Sequence, residues 1–241
     1  MSTVLVAGVV LVICPFLSGQ TLPVVQVKGA PFSASEVELQ NAKPNVRNVI
    51  PMKTIAVYRD SAGRTRTEVS VPPDPAGNPN IVIDDPVANV TYMIDEKHKF
   101  ARRLTWPTPR EIPSAGDDQK SIEKPVTGIS SKMRNVNVQM ASESLGSQLI
   151  EGLVAEGKRV TSESPQNSSG CEKSIVENWY SPDLWMTLVQ KRSNCLEDSS
   201  THLENIQRSE PDPRLFQVPA DYMLVEQEWN KPPAQPPSSL K

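Results

Sequence analysis

Proline punctuates this chain 23 times in 241 residues, about twice its average usage. Each proline inside a helix removes a backbone donor and clashes with the turn before it, so the spacing argues against long helices and for short strands, turns and extended linkers. Between residues 53 and 104 the runs have β composition. Thr54-Ile55-Ala56-Val57-Tyr58 meets the turn Asp60-Ser61-Ala62-Gly63, and Arg64 to Val69 returns, with Gly63 able to take the left-handed conformation of a tight hairpin. That returning run is polar on both faces and reads as a sheet edge. Ile81-Val82-Ile83, Val90-Thr91-Tyr92-Met93-Ile94 and Phe100-Ala101-Arg102-Arg103-Leu104 follow, separated by Asp84-Asp85-Pro86 and Asp95-Glu96-Lys97. The segment predicts an antiparallel meander.

From 105 to 141 the pattern is lost among Pro107, Pro109, Pro113 and Pro125, which predicts a flexible linker. Residues 142–226 resume the β domain that residues 20–104 begin. Asp212-Pro213-Arg214-Leu215-Phe216 has an N-cap and a proline at the first helical position, a single helical turn. A last strand is expected near Tyr222 to Val225, and 227–241 form a disordered, proline-rich tail. The expected fold is mainly β: a curved, half-barrel-like antiparallel meander with few short helices.

Residues 4–17 are an unbroken apolar run, and the first charged side chain is Lys28. The run has signal-peptide length and falls short of the roughly 20 residues a spanning helix needs. Residues 1–19 are therefore expected to be a signal peptide, with an uncleaved anchor as the alternative, and the mature chain is expected to be periplasmic or extracellular without a membrane span. Leu11-Val12-Ile13-Cys14 puts a β-branched residue where a lipoprotein signal needs a small one. An exported chain keeps Cys171 and Cys195, an even number in an oxidising compartment. A hairpin centred on Pro182-Asp183 pairs Tyr180 with Trp185 and brings the two cysteines together at its open end, predicting a disulfide; two unrelated thiols are the other reading.

A net charge of -3 gives no electrostatic reason to bind nucleic acid. His98 and His202 lie far apart without neighbouring ligands, so neither a metal site nor a cofactor is expected. Ser121-Ile122-Glu123-Lys124 matches S-x-x-K as an isolated tetrapeptide, and Asp84-Asp85 and Asp117-Asp118 adjoin turns, where carboxylates cap backbone. No catalytic residue is assigned. The basic cluster Lys97, Lys99, Arg102, Arg103 and Arg110 interleaves with Phe100 and Trp106, while Trp179, Tyr180 and Trp185 gather at the Pro182 turn. Arg102, Trp106, Trp179, Tyr180 and Trp185 are the candidate ligand or partner contacts, with paired charges and sheet-packing aromatics as the plainer reading.

Six blocks carry a resemblance. Ala30 to Ala34, Tyr58 to Arg66, Asp85-Pro86-Val87, Glu143 to Gly146, Trp179 to Leu184 and Leu215 to Tyr222 resemble an uncharacterised family of exported β-rich proteins common in acidobacteria. More distantly, the short strands ending in Leu-Phe-x-x-Pro-x-x-Tyr look like the lipoprotein-carrier (LolA/LolB-like) superfamily, which implies a sheet sheltering an acyl chain. The chain is thus expected to be a non-enzymatic envelope protein binding an apolar or lipid ligand. The alternatives are a module binding another envelope protein and a hydrolase without a linear motif.

Overall fold

The computed structural model describes residues 22, 24–42, 53–70, 80–115, 139–163 and 171–228. Among these, twelve strands join in one open sheet: β1 (Phe32–Ala42), β2 (Lys53–Arg59), β3 (Thr65–Ser70), β4 (Ile81–Asp85), β5 (Val90–Asp95), β6 (Phe100–Thr105), β7 (Gln139–Ile150), β8 (Leu153–Glu163), β9 (Lys173–Ser181), β10 (Met186–Ser193), β11 (Glu197–Gln207) and β12 (Met223–Gln227). Their order across the sheet is β12-β6-β5-β4-β3-β2-β1-β11-β10-β9-β8-β7. Two meanders, β2–β6 and β7–β11, are stitched together by β1 pairing with β11, and the expected mainly β, largely antiparallel architecture is present. The signal segment, Cys14, Ser121-Ile122-Glu123-Lys124, Asp117-Asp118 and the tail from Lys231 lie outside the described residues.

Turn chemistry sets the hairpins. Gly63 takes φ +86, and Asp60 accepts from the backbone of Arg64 through its side chain and from that of Gly63 through its carbonyl. Asp85 Oδ1 accepts from the amides of Val87 and Ala88, the turn-capping role expected of that acid pair. Between β7 and β8, Glu151 and Gly152 both have positive φ, the signature of a two-residue hairpin turn whose twist matches that of the strands. Asp212 caps a one-turn 3-10 helix at Pro213–Phe216, as the sequence indicates.

Strand register separates the two faces. Phe32, Ala34, Ile55, Val57 and Leu203 are buried on one face, where Leu22 packs with them. Ile81, Ile83, Ile94 and Ala101 are buried on the other, under Phe216, Leu215 and Tyr222. Three details differ from the sequence expectation. The Arg64–Val69 run is interior, because β3 pairs with both β2 and β4; its charges are accommodated as Arg66 pairs with Glu68 and donates to the Leu215 carbonyl, 2.9 Å away. The β9–β10 hairpin pairs Thr187 with Tyr180, and a bulge follows between Thr187 and Val189. This shift arises because Trp185, with φ +53, belongs to the turn. Finally, β12 runs parallel to β6.

Residues within 105–141 are partly ordered. Trp106 is buried, Ser114 bridges to Lys28, and Gln139 already begins β7, while 116–138 lie outside the described residues.

Candidate functional site

One face of the sheet is covered by Leu22 and two non-helical segments, residues 24–30 and 106–115. The first is held by side chains. Leu22 N donates to both carboxylate oxygens of buried Glu36, at 3.1 and 3.2 Å. Arg59, fully buried, donates to the carbonyls of Ala30 (2.8 Å), Val25 (2.7 Å) and Leu184 (2.6 Å), with its guanidinium 4.9 Å from the Phe32 ring centre. Burial pushes the Arg59 pKa down to about 10, and Tyr180 counteracts this, so the group stays charged at neutral pH and its bonds are charge-assisted.

The second segment is fastened at Asp84. Arg110 forks onto both Asp84 oxygens at 2.8 and 2.9 Å, Thr91 donates to Oδ1, and Gln26 Nε2 donates to Oδ2 at 2.6 Å. Arg110 also stacks 4.5 Å from the Trp106 ring, whose Nε1 donates to Thr91 Oγ1 at 2.9 Å.

These contacts locate the residues expected to meet a ligand. Trp106 and Arg102 are buried, and Trp185 is buried against Val27 and Ala30. Trp179 is half-buried over Gly157, where an added Cβ would lie 2.6 Å from the indole. Tyr180, also half-buried, lies on the neighbouring position of β9. Trp106 and Trp185 thus pack inside the fold rather than forming one exposed aromatic patch. The basic cluster is dispersed too: Lys99 bonds Asp221, Arg103 bonds Glu226 and Arg110 bonds Asp84. His98 Nδ1 lies 2.6 Å from Asp95 Oδ2 within the β5–β6 turn. His202 sits between Val37 and Val189 in register, with its pKa lowered by burial and by Lys191.

The expected disulfide joins Cys171 and Cys195, with Cα atoms 5.5 Å apart. Beside it, an open hollow of about 500 Å³ is lined by Glu172, Lys173, Ile175, Ser193, Asn194 and Cys195. It is shallow, and the described residues that line it bring no catalytic set together.

The most accessible element is β7. All but two of its residues are exposed, on both faces, and among the described residues only β8 pairs with it. Met140 is 71% and Leu149 73% exposed. The sequence concealed this strand because a segment with no buried face has no alternation to detect.

No protein-family model matches the chain, and no curated protein matches it. Solved structures show distant similarity. MucB aligns with a TM-score of 0.42 at 14% identity over 83% of this chain, which spans 61% of the MucB chain. A LolA-superfamily protein from Nitrosomonas europaea gives 0.33 at 9% identity over 80% of this chain and 92% of that one. The Mycobacterium tuberculosis lipoprotein LppX gives 0.32 at 12% identity, over 74% and 88% respectively. Among the described residues no helix is long and apolar enough to cross a membrane.

Proposed function

We propose that this chain is an exported, non-enzymatic interaction module that engages an extended, uncharged protein segment by strand addition along β7. The observation that carries the reading is the edge itself: a 12-residue strand, exposed on both faces and with one side unpaired among the described residues. Such an edge offers a row of backbone donors and acceptors to an incoming strand, and alternate side-chain positions give selectivity. The strand has a single charged residue, Glu143, already bonded by Arg159, so a neutral strand meets no electrostatic penalty. The Cys171–Cys195 bridge supports export, because disulfides persist in oxidising compartments.

The test is photocrosslinking in cells from a probe placed at Ser142 or Ser147, with Val87, exposed on the β4–β5 turn, as the control. Adducts from both β7 positions and none from Val87 are expected. No adduct from either β7 position would end this reading.

A second reading is an apolar or lipid ligand on this face of the sheet, taking the place of the segment that covers it. Residue 22 and residues 24–27 lie outside any strand and are held at Leu22 and Val25 by the side chains of Glu36 and Arg59. Native mass spectrometry of protein purified without detergent checks it: a bound lipid-sized mass supports the reading, and a bare chain refutes it.

A further inference from the structure

We propose that the strand received by β7 is β7 of a second copy, forming an antiparallel, two-fold symmetric dimer in which Met140 of each copy faces Leu149 of the other. The inference rests on the strand-addition reading and names its partner.

A bulge interrupts β7. In β7 the register against β8 shifts between Ser144 and Gly146. Before the shift, Met140 and Ser142 lie opposite Ser162 and Val160; after it, Ser147 and Leu149 lie opposite Glu156 and Val154. All four partners are even-numbered positions of β8, so they share one face. Met140, Ser142, Ser147 and Leu149 therefore share that face as well. Nine residues apart in an uninterrupted strand, Met140 and Leu149 would point to opposite sides. The bulge turns them to the same side.

Consequently β7 is complementary to itself in one register. A two-fold axis between Ser144 and Leu145 sets Met140 against Leu149, Ala141 against Gln148, Ser142 against Ser147 and Glu143 against Gly146. Each pair shares a face, as the pairing of Ala141 with Thr161, Glu143 with Arg159, Gly146 with Gly157 and Gln148 with Ala155 requires. The two most exposed large apolar side chains of the strand meet, and they do so twice in the dimer. Val154, 48% exposed and opposite Leu149, extends each contact into an apolar row. The one charge, Glu143, faces a glycine and keeps its ion pair with Arg159. Slipping the register by one residue would set side chains against neighbours on the wrong face. An isologous contact also closes on itself, so it stops at two copies.

The experiment is sedimentation velocity of the full mature chain from 1 to 200 µM, with charge substitutions at the two contacts. The wild type should dimerise. Met140→Lys and Leu149→Glu should each weaken the dimer about 10- to 30-fold, since each removes two cross-strand apolar contacts per dimer. The double variant Met140→Lys/Leu149→Glu should recover affinity toward the wild type. The two positions are nine residues apart within one chain, so the rescue reads the contact between copies, and both side chains are exposed enough that folding is not at stake. A wild type that stays monomeric to 200 µM overturns the proposal, as does a dimer insensitive to both single changes or a double variant weaker than either. The strand-addition reading is judged separately: a monomer that still crosslinks to a different protein from Ser142 and Ser147 refutes self-pairing alone.

Discussion

Replacing Arg59 with methionine tests the claim that one buried cation holds the N-terminal segment on the sheet. Methionine approximates the length of the arginine stem but donates no hydrogen bond, so the carbonyls of Val25, Ala30 and Leu184 lose their donor. Leaving a buried acceptor unsatisfied costs about 1–3 kcal/mol each. Part of that is offset, because a charge whose burial already lowers its pKa to about 10 no longer has to be desolvated. Taken together these effects give a net loss of about 3–5 kcal/mol, a large fraction of the roughly 5–15 kcal/mol that holds a typical domain together. Arg59→Lys, which retains charge but lacks the planar fork, should lose about half as much. Urea unfolding followed by tryptophan fluorescence measures this, because Trp185 packs with Val27 and Ala30 under the same segment. A midpoint shift at unchanged slope gives the energy. An Arg59→Met protein within about 1 kcal/mol of wild type would refute the reasoning.

Reduction of Cys171–Cys195, which closes a loop with a sequence separation of 24, should lower stability by about 3 kcal/mol; matched urea curves with and without reductant check it. Gly157→Ala places a Cβ 2.6 Å from Trp179 and 2.8 Å from Leu145, and such overpacking should cost about 1–3 kcal/mol, visible as a lowered thermal midpoint with altered indole emission. The His202 pKa is held below its ordinary value by burial and by Lys191. The unfolded chain therefore takes up this proton first as pH falls: the stabilising effect is complete above the unfolded pKa and is lost below it. Stability should thus decrease between pH 7 and pH 5, and His202→Gln should flatten that slope; an unchanged slope would exclude His202 as its source.

The local parts of the fold were visible in the sequence. The strands of the β2–β6 meander stand out because short β-branched runs alternate with Gly63, Pro86 and Asp95, so the β2–β3, β4–β5 and β5–β6 hairpins are each marked by a short local turn. The Asp212 cap is equally local, and the disulfide, with a sequence separation of 24, follows from the hairpin that lies between its two cysteines. What escaped was decided by distant contacts. In β1, Glu36 occupies a core-facing position because Leu22, 14 residues away, brings it a backbone donor, and that acid breaks the alternation that marks a strand. β3 resembles an edge until Arg66 and Glu68 are seen to pair beneath Leu215. Trp106 and Trp185 are buried where residues 24–30 and 106–115 lie across the sheet, an arrangement that no local pattern announces. β7 carries no pattern at all, since it buries neither face.

The seam between β1 and β11 also bears on the order in which the molecule can be assembled. Ser33 pairs with Gln207 and Ala42 with Glu197, the longest-range strand pairing in the sheet, whereas nearly every other pair joins neighbours in sequence. A chain delivered from its N-terminus can complete β1–β6 while more than 90 residues, 106–196, are still to arrive before β11 begins. Through that interval β1 presents an open edge on the side that β11 will later occupy. Loop closure over such a distance makes this the slow step, and an uncovered edge during a slow step is the point at which nascent chains aggregate or recruit a chaperone. The vulnerable moment in this protein's life therefore precedes the finished sheet, and substitutions in β11 should harm yield more than they harm the stability of whatever does fold.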